Sequence, residues 1–279
     1  MNKIAKKVLS VQDISCFGQC SNTVVFPLLS AAGLETVMLP TALLSTHTGG
    51  FKGFTFLDLT DEMAKILAHF DTLGLRFDYL TTGYCGSAEQ LDLLLSYLPR
   101  LLKEDAIRLV DPVLGDNGNL YSIYDAAYVA KMRELVATAD VITPNVTEAC
   151  LLADLPVPAG HVCPADFLDT LFARLHTLGP KRVLLTGVMF DTDTIGVVGS
   201  EAGGERFEVR STFVDRYIHG TGDMLAGSFL GFLSRGKSFR EAAARAVRFV
   251  SDCIADTLPN LDEHWYGIAF EGRLSELSE

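Results

Sequence analysis

The chain predicts an α/β fold, a mostly parallel central sheet with helices on both faces, and three observations carry that prediction. Short apolar runs alternate with amphipathic helical patterns through the first two thirds of the 279 residues. Parallel strands joined through helices make right-handed βαβ crossovers, which cover both faces of one sheet. Hydrophobic residues make up 48% of the chain and are mixed with charged ones along its whole length, enough to bury one large core. No Pro/Ser-rich linker, charge block, low-complexity run or internal repeat divides it, so residues 1–279 are read as a single domain.

The first strand is Val8-Leu9-Ser10-Val11, which runs into Gln12-Asp13, and the second is Thr36-Val37-Met38-Leu39. Both are apolar on successive residues, as strands buried on two faces are. Met63, Ile66, Leu67 and Phe70 then follow the i, i+3, i+4, i+7 spacing of a helix with one apolar stripe. Tyr79-Leu80-Thr81 is the third strand, running into Thr82-Gly83-Tyr84, and Leu91, Leu94, Leu95 and Leu98 mark the next helix. Ile107-Arg108-Leu109-Val110 ends at Asp111, and Val141-Ile142-Thr143 ends at Pro144-Asn145. A helix with Leu168, Leu171, Phe172 and Leu175 leads to Val183-Leu184-Leu185-Thr186, ending at Gly187. Thr194 to Val198 and Arg206 to Val209 flank a turn with Gly203-Gly204, an antiparallel hairpin at the sheet edge. Two helices close the chain, one starting near Gly222 and one from about Phe239 to Leu258.

Composition narrows the function classes. A net charge of −12 argues against nucleic acid, whose binding draws on clustered Lys and Arg. Cys16, Cys20, Cys85, Cys150, Cys163 and Cys253 form no Cys-x-x-Cys pair, so neither a zinc site nor a disulfide framework is expected. The basic start, Met1 to Lys7, resembles a signal n-region, but Val8 to Val11 is too short for its apolar core. No window approaches the roughly 18 apolar residues that a spanning helix needs. A cytoplasmic protein without membrane partner is predicted.

Ligands of open parallel sheets bind beyond the carboxyl ends of the strands, where Gly and polar residues collect here. Gly220-Thr221-Gly222-Asp223 precedes the apolar helical run from Met224. Two glycines at a helix start let backbone N–H groups approach an anion, and the helix dipole adds positive potential, an arrangement suited to a transferred phosphoryl group. Asp223, in the first turn, is placed to accept a proton from an attacking hydroxyl. An ordinary tight turn, with Asp223 complementing the helix end, is the alternative. Asp111 and Asp116 follow the fourth strand; Thr143, Asn145 and Glu148 follow the fifth. Hard oxygen donors on neighbouring strand ends suit Mg²⁺ beside nucleotide phosphates, against a turn at Asp111 and a helix cap at Asn145. There is no P-loop, no protein-kinase motif set, and no Gly-x-Gly-x-x-Gly after the first strand.

Together Val8 to Gln12, Gly18, Asn22 with Phe26-Pro27, Thr46-His47-Thr48-Gly49, Thr82-Gly83-Tyr84, Asp111 to Asp116, Ile142 to Asn145 with Glu148, and Gly220 to Asp223 resemble pyridoxal kinases of the ribokinase superfamily. The resemblance implies a ribokinase-like three-layer α/β sandwich acting as a homodimer, and ATP-dependent phosphorylation of the 5′-hydroxymethyl group of a B6 vitamer (pyridoxal, pyridoxamine or pyridoxine). By the same resemblance Asp223 is the general base and Gly220, Thr221 and Gly222 form the anion hole. Asp111, Asp116, Thr143, Asn145, Glu148 and Thr186 form the ATP side with Thr221 and Gly222, and Asp111 and Glu148 hold Mg²⁺; a K⁺ requirement stays open. Asp13, His47, Thr48 and Tyr84 join Asp223 on the vitamer side, Tyr84 by stacking unless it is only a half-buried aromatic.

Two positions depart from the family. Asp13 stands where these kinases carry a Ser that binds the ring, and Leu44 where they carry an aromatic. An ionised Asp13 favours a cationic substrate such as pyridoxamine, whereas a capping role is the alternative. The competing readings are a hydroxymethylpyrimidine or other ribokinase-like small-molecule kinase, and a non-catalytic vitamer-binding protein. His219 is read as structural.

Overall fold

The computed structural model describes residues 4–159 and 162–279; Met1, Asn2 and Lys3, the first part of the basic start, fall outside the described residues. The first half contains β1 (Lys7–Phe17), α1 (Asn22–Ala31), β2 (Glu35–Thr46), β3 (Phe56–Asp58), α2 (Thr60–Thr72), β4 (Phe77–Thr82), α3 (Ala88–Leu101) and β5 (Leu102–Val110). A small hairpin, β6 (Gly115–Asp116) and β7 (Asn119–Leu120), precedes α4 (Ala126–Ala137), β8 (Val141–Ile142), α5 (Val146–Ala153) and α6 (Ala165–Thr177). Then come β9 (Arg182–Met189), β10 (Thr194–Glu201), β11 (Phe207–Thr212), α7 (Thr221–Ser234) and α8 (Phe239–Thr257).

Among the described residues the main sheet has nine strands in the order β11-β10-β9-β8-β5-β4-β1-β2-β3. The six central strands, β9 to β2 in that order, pair in parallel, while β3 on one edge and β10–β11 on the other pair antiparallel. The hairpin expected at the edge is therefore present. Alternate residues of each strand face opposite layers, as the pleat requires. Val8, Tyr79, Leu109, Val141 and Leu184 pack with α1, α7 and α8, whereas Leu9, Leu80, Val110, Ile142 and Leu185 pack with α2 to α6. Helices thus cover both faces, and each layer has its own apolar core.

Where sequence and structure differ, a packing reason is visible. β1 does not stop at Gln12-Asp13: its pairing with β4 ends at Val11, its register against β2 shifts between Gln12 and Ile14, and it continues on β2 to Phe17. β9 likewise passes Thr186-Gly187 and reaches Met189, because β10 gives it an antiparallel partner there. The sequence pattern misses α1, which has Pro27 inside it and almost no polar face. α1 lies between the sheet and α7, whose Gly227 and Gly231 let the two helices approach closely: a Cβ at Gly231 would stand 3.0 Å from that of Ala32. α4 is also missed; Tyr128, Val129, Met132, Leu135 and Val136 form its buried stripe.

α5 is short and pinned at both ends. Asn145 caps its start in a reciprocal box with Glu148. At its C-terminus Arg133 from α4 donates to the carbonyls of Leu151 and Leu152 at 2.8 and 2.9 Å, and Arg174 from α6 to those of Ala153 and Asp154 at 2.9 and 3.0 Å. Among the described residues no helix is long and apolar enough to cross a membrane. Cys16, Cys20, Cys85, Cys150 and Cys253 are free thiols.

Candidate active site

A cleft of about 540 Å³ opens over the strand ends and the start of α7. Gly220 begins that helix at φ 84°, and a Cβ there would collide with the carbonyl oxygen of Gln19, so glycine is required on two counts. The first N–H groups of α7 have no acceptor within the helix and stand at its positive end. Asp223 lies in that first turn. Its Oδ2 accepts the Ser21 N–H at 2.8 Å. Desolvation pushes its carboxyl up to about 6, the Ser21 bond opposes that, and the nearby Asp13 adds to it.

Across the cleft, Asp111 follows β5 and Thr143 follows β8. Burial, then the carboxyls of Glu148 and Asp223, hold Asp111 well above the usual carboxylate range. Glu148 is 4% exposed, and burial raises it to about 8. Its two oxygens accept the N–H groups of Leu114 at 3.1 Å and Asn145 at 2.8 Å. Asn145 in turn donates Nδ2 to the Gly115 carbonyl at 2.9 Å. The helix cap and the cleft wall are therefore the same residues. Asp116 lies in the β6–β7 hairpin, and the Thr186 hydroxyl donates to the Pro144 carbonyl at 3.3 Å.

The hydroxyl oxygens of Thr143 and Thr82 are buried without any hydrogen-bond partner. Orphaned buried hydroxyls are rare, and Thr143 lines the cleft. With Asp111 and Glu148 it forms a hard-oxygen set that fits Mg²⁺, which keeps several of its waters and needs few protein ligands. Among the described residues no group of three or more His, Cys, Asp or Glu is gathered as a metal cage.

The cleft brings together Gly220, Thr221, Gly222 and Asp223 with Asp111, Asp116, Thr143, Asn145, Glu148, Thr186 and Tyr84. Burial pushes the Tyr84 phenol to about 12, so it stays protonated near neutral pH. Asp13, His47 and Thr48 do not line the cleft. Asp13 lies inside β1 and caps no helix; it is 6% exposed, accepts the Ser15 hydroxyl at 3.0 Å, and is raised by burial. His47 is 6% exposed, with Nδ1 accepting from the Gly49 N–H at 3.1 Å and Nε2 donating to the Tyr266 carbonyl at 2.7 Å. Both its nitrogens are committed to backbone. Thr48 is exposed beside it, and Leu44 is buried. His219 packs against the His47 ring at 4.6 Å, and burial lowers its pKa.

Sequence reasoning missed one wall. Val247, Val250 and Ile254 of α8, with Leu225 and Val214, give the cleft an apolar side. Their helical spacing was the available signal, but it reads equally as a core stripe. Arg216, the one Lys or Arg among the described lining residues, was also missed.

Three comparisons bear on this arrangement. The family described as phosphomethylpyrimidine kinase matches residues 28–266. A pyridoxal kinase from Dictyostelium discoideum is 30% identical over 246 residues, covering 82% of this chain and 78% of that protein. A pyridoxal kinase from Haemophilus influenzae is 29% identical, covering 85% and 84%. Among solved structures, a Bacteroides thetaiotaomicron phosphomethylpyrimidine kinase candidate crystallised with pyridoxal superposes with a TM-score of 0.92 at 37% identity, covering 99% of this chain and 96% of that one. Pyridoxal kinase from Lactobacillus plantarum superposes with a TM-score of 0.88 at 33% identity, covering 98% and 96%.

Proposed function

The chain belongs to the phosphomethylpyrimidine kinase family and is related over most of its length to pyridoxal kinases, and from that premise we propose that it transfers a phosphoryl group from ATP to the 5′-hydroxymethyl group of a B6 vitamer. One observation carries the reading: Asp223 and the glycine-led start of α7 face the carboxylates and hydroxyls of the strand ends across one cleft. Asp223 takes the proton of the hydroxyl as its oxygen bonds to the terminal phosphorus and the bond to the ADP oxygen breaks. The N–H groups of Gly220, Thr221 and Gly222 stabilise the charge that develops on the transferred group. Asp111, Glu148 and Thr143 would hold Mg²⁺, which when bound neutralises phosphate charge. Asp116, Asn145 and Thr186 complete the phosphate side, and the apolar wall of α8 suits a nucleobase. Tyr84 bounds the vitamer side, to which Asp13, His47 and Thr48 are also assigned although none of the three lines the cleft.

A homodimer in the cytoplasm belongs to the same reading, and light scattering tests the assembly. The description of the matched family, phosphomethylpyrimidine kinase, supports a second class of substrate, a pyrimidine carrying a phosphomethyl or hydroxymethyl arm. ATP consumption measured with pyridoxal, pyridoxamine, pyridoxine and hydroxymethylpyrimidine in turn separates the two. We expect turnover with a vitamer and its loss in Asp223→Ala. Vitamer binding without turnover in the wild-type chain would leave the binding-protein reading in its place.

A further inference from the structure

Gln19 links the C-terminal segment to the loop that holds the Asp223 carboxylate. The Gln19 N–H donates to the Tyr266 carbonyl at 3.3 Å. Its side chain is held at both ends, Oε1 accepting from His264 Nε2 at 2.9 Å and Nε2 donating to Glu271 Oε1 at 2.6 Å. Its carbonyl oxygen lies against Gly220, where a Cβ has no room. Residues 264–271 also anchor the neighbouring loops: the Tyr266 ring packs on Phe17 at 4.6 Å, and the Trp265 ring on Phe51 at 4.6 Å.

Two residues beyond Gln19, Ser21 holds φ 50° and ψ −132°, a backbone conformation that non-glycine residues seldom adopt. That conformation aims the Ser21 N–H at Asp223 Oδ2, 2.8 Å away. Strained backbone persists only where its surroundings over-determine it. From the helix side the loop is held by the Thr23 hydroxyl, which donates to the Cys20 carbonyl at 2.7 Å. From the other side it begins at Gly18, φ 92°, and Gln19 fastens it to the C-terminal segment. The contacts span 245 and 252 positions of sequence.

We propose that Gln19 is a positioning residue for phosphoryl transfer, through which residues 264–271 fix the Ser21 loop and so the direction in which the Asp223 carboxylate faces the acceptor hydroxyl. The inference rests on the reading of Asp223 as the base. A misplacement of about 1 Å at a reacting group costs up to roughly a hundredfold in rate, so loss of this link acts on turnover. Among the described residues the side chain of Gln19 bonds only His264 and Glu271, so the nucleotide contacts assigned to Asp111, Asn145, Glu148, Thr186 and the α8 wall are left in place.

The test uses Gln19→Met, which keeps the side-chain length and removes both of its hydrogen bonds. Trp265 is the one tryptophan in the chain, so its quenching by acrylamide reports docking of the C-terminal segment independently of turnover. In Gln19→Met we expect faster quenching, kcat lowered about tenfold or more, and KM for ATP within about twofold of wild type. His264→Phe keeps a ring against Tyr266 but loses the donor and should act in the same direction, whereas His264→Gln retains a donor and should restore kcat. Faster quenching with unchanged kcat overturns the proposal, as does unchanged quenching, or a fall in kcat matched by a rise in KM for ATP. A wild-type chain that phosphorylates no vitamer overturns the underlying reading as well; an active wild type with an indifferent Gln19→Met overturns this inference alone.

Discussion

As the proposed base, Asp223 would combine two demands that conflict: it would have to be ionised to accept a proton, and it sits where ionisation is penalised. Its carboxyl rises from 3.8 to about 6, chiefly through desolvation, with the carboxyls of Asp13 and Asp111 nearby. For an acid with a raised folded pKa, the folded state binds the extra proton between those two values. The associated stability is present at low pH and lost as pH rises through about 6. At pH 7.5 the ionised Asp223 therefore weakens the fold, in the form that the proposed base role requires. Asp223→Asn keeps an acceptor for the Ser21 N–H and removes the charge. It should lower kcat by about 10²–10⁴ and raise unfolding free energy at pH 7.5 by about 1–3 kcal/mol, with a smaller gain below pH 6. Urea melts at the two pH values check the stability half, and wild-type kcat/KM falling as pH drops below about 6 checks the catalytic half. Asp13 calls for a different measurement. Being buried inside β1, where burial outweighs the Ser21 and Ser15 hydrogen bonds and the charge of His47, it gains from a further cation brought beside it. Asp13→Ser should shift the kcat/KM ratio away from pyridoxamine and toward pyridoxal; an unchanged ratio removes Asp13 from substrate choice.

At the scale of elements, α5 shows how a short helix is made rigid enough to carry a site. Eight residues are too few for an isolated helix to persist, so its ends must be satisfied from outside. The Asn145–Glu148 box serves the start, and the guanidinium groups of Arg133 and Arg174 serve the last carbonyls, where the helix dipole favours positive charge. Arg133→Met keeps the stem packing and leaves the Leu151 and Leu152 carbonyls without their donors. We expect a loss of about 1–2 kcal/mol in urea unfolding, with Arg133→Lys recovering part of it. Elements of this kind mark the boundary of what the sequence reveals. The parallel strands are legible because both faces are buried, which leaves unbroken apolar runs such as Val183-Leu184-Leu185. Asp111, Asn145 and Glu148 are legible because strand ends are where polar residues interrupt those runs. α1 is not, because apolar Phe26, Pro27 and Ala31 stand among its exposed and half-exposed positions and blur the contrast between its two sides. Nor is the cleft wall from α8, since Val247, Val250 and Ile254 have the spacing of any core stripe. The partners of Gln19 are set by tertiary contact across almost the whole chain, for which no local pattern exists.

Across the whole molecule, the cleft lies on the seam between its two apolar layers. Asp111 and Glu148 belong to the side built on β5 and α5, whereas Gly220, Asp223 and the apolar wall belong to α7 and α8. A ligand that spans the cleft therefore ties the two layers together. The carboxyls of Glu148 and Asp223 both act on that of Asp111 there, and all three are raised, so gathering them is an electrostatic cost that Mg²⁺, held there as proposed, would offset. A nucleotide without the metal adds its own negative charge to that cluster and should bind far less tightly. Ligand bound only by the folded state stabilises by RT ln(1 + [L]/Kd), about 2.7 kcal/mol at a hundredfold excess over Kd. For a chain of this size that corresponds to a rise of roughly 4–10 °C in Tm. A non-hydrolysable ATP analogue with Mg²⁺ should produce such a shift, and the same analogue in EDTA should produce little. Asp111→Asn should sever the dependence on the metal while leaving the Tm of the ligand-free protein unchanged or higher. Equal shifts with and without the metal would show that these carboxylates take no part in nucleotide binding.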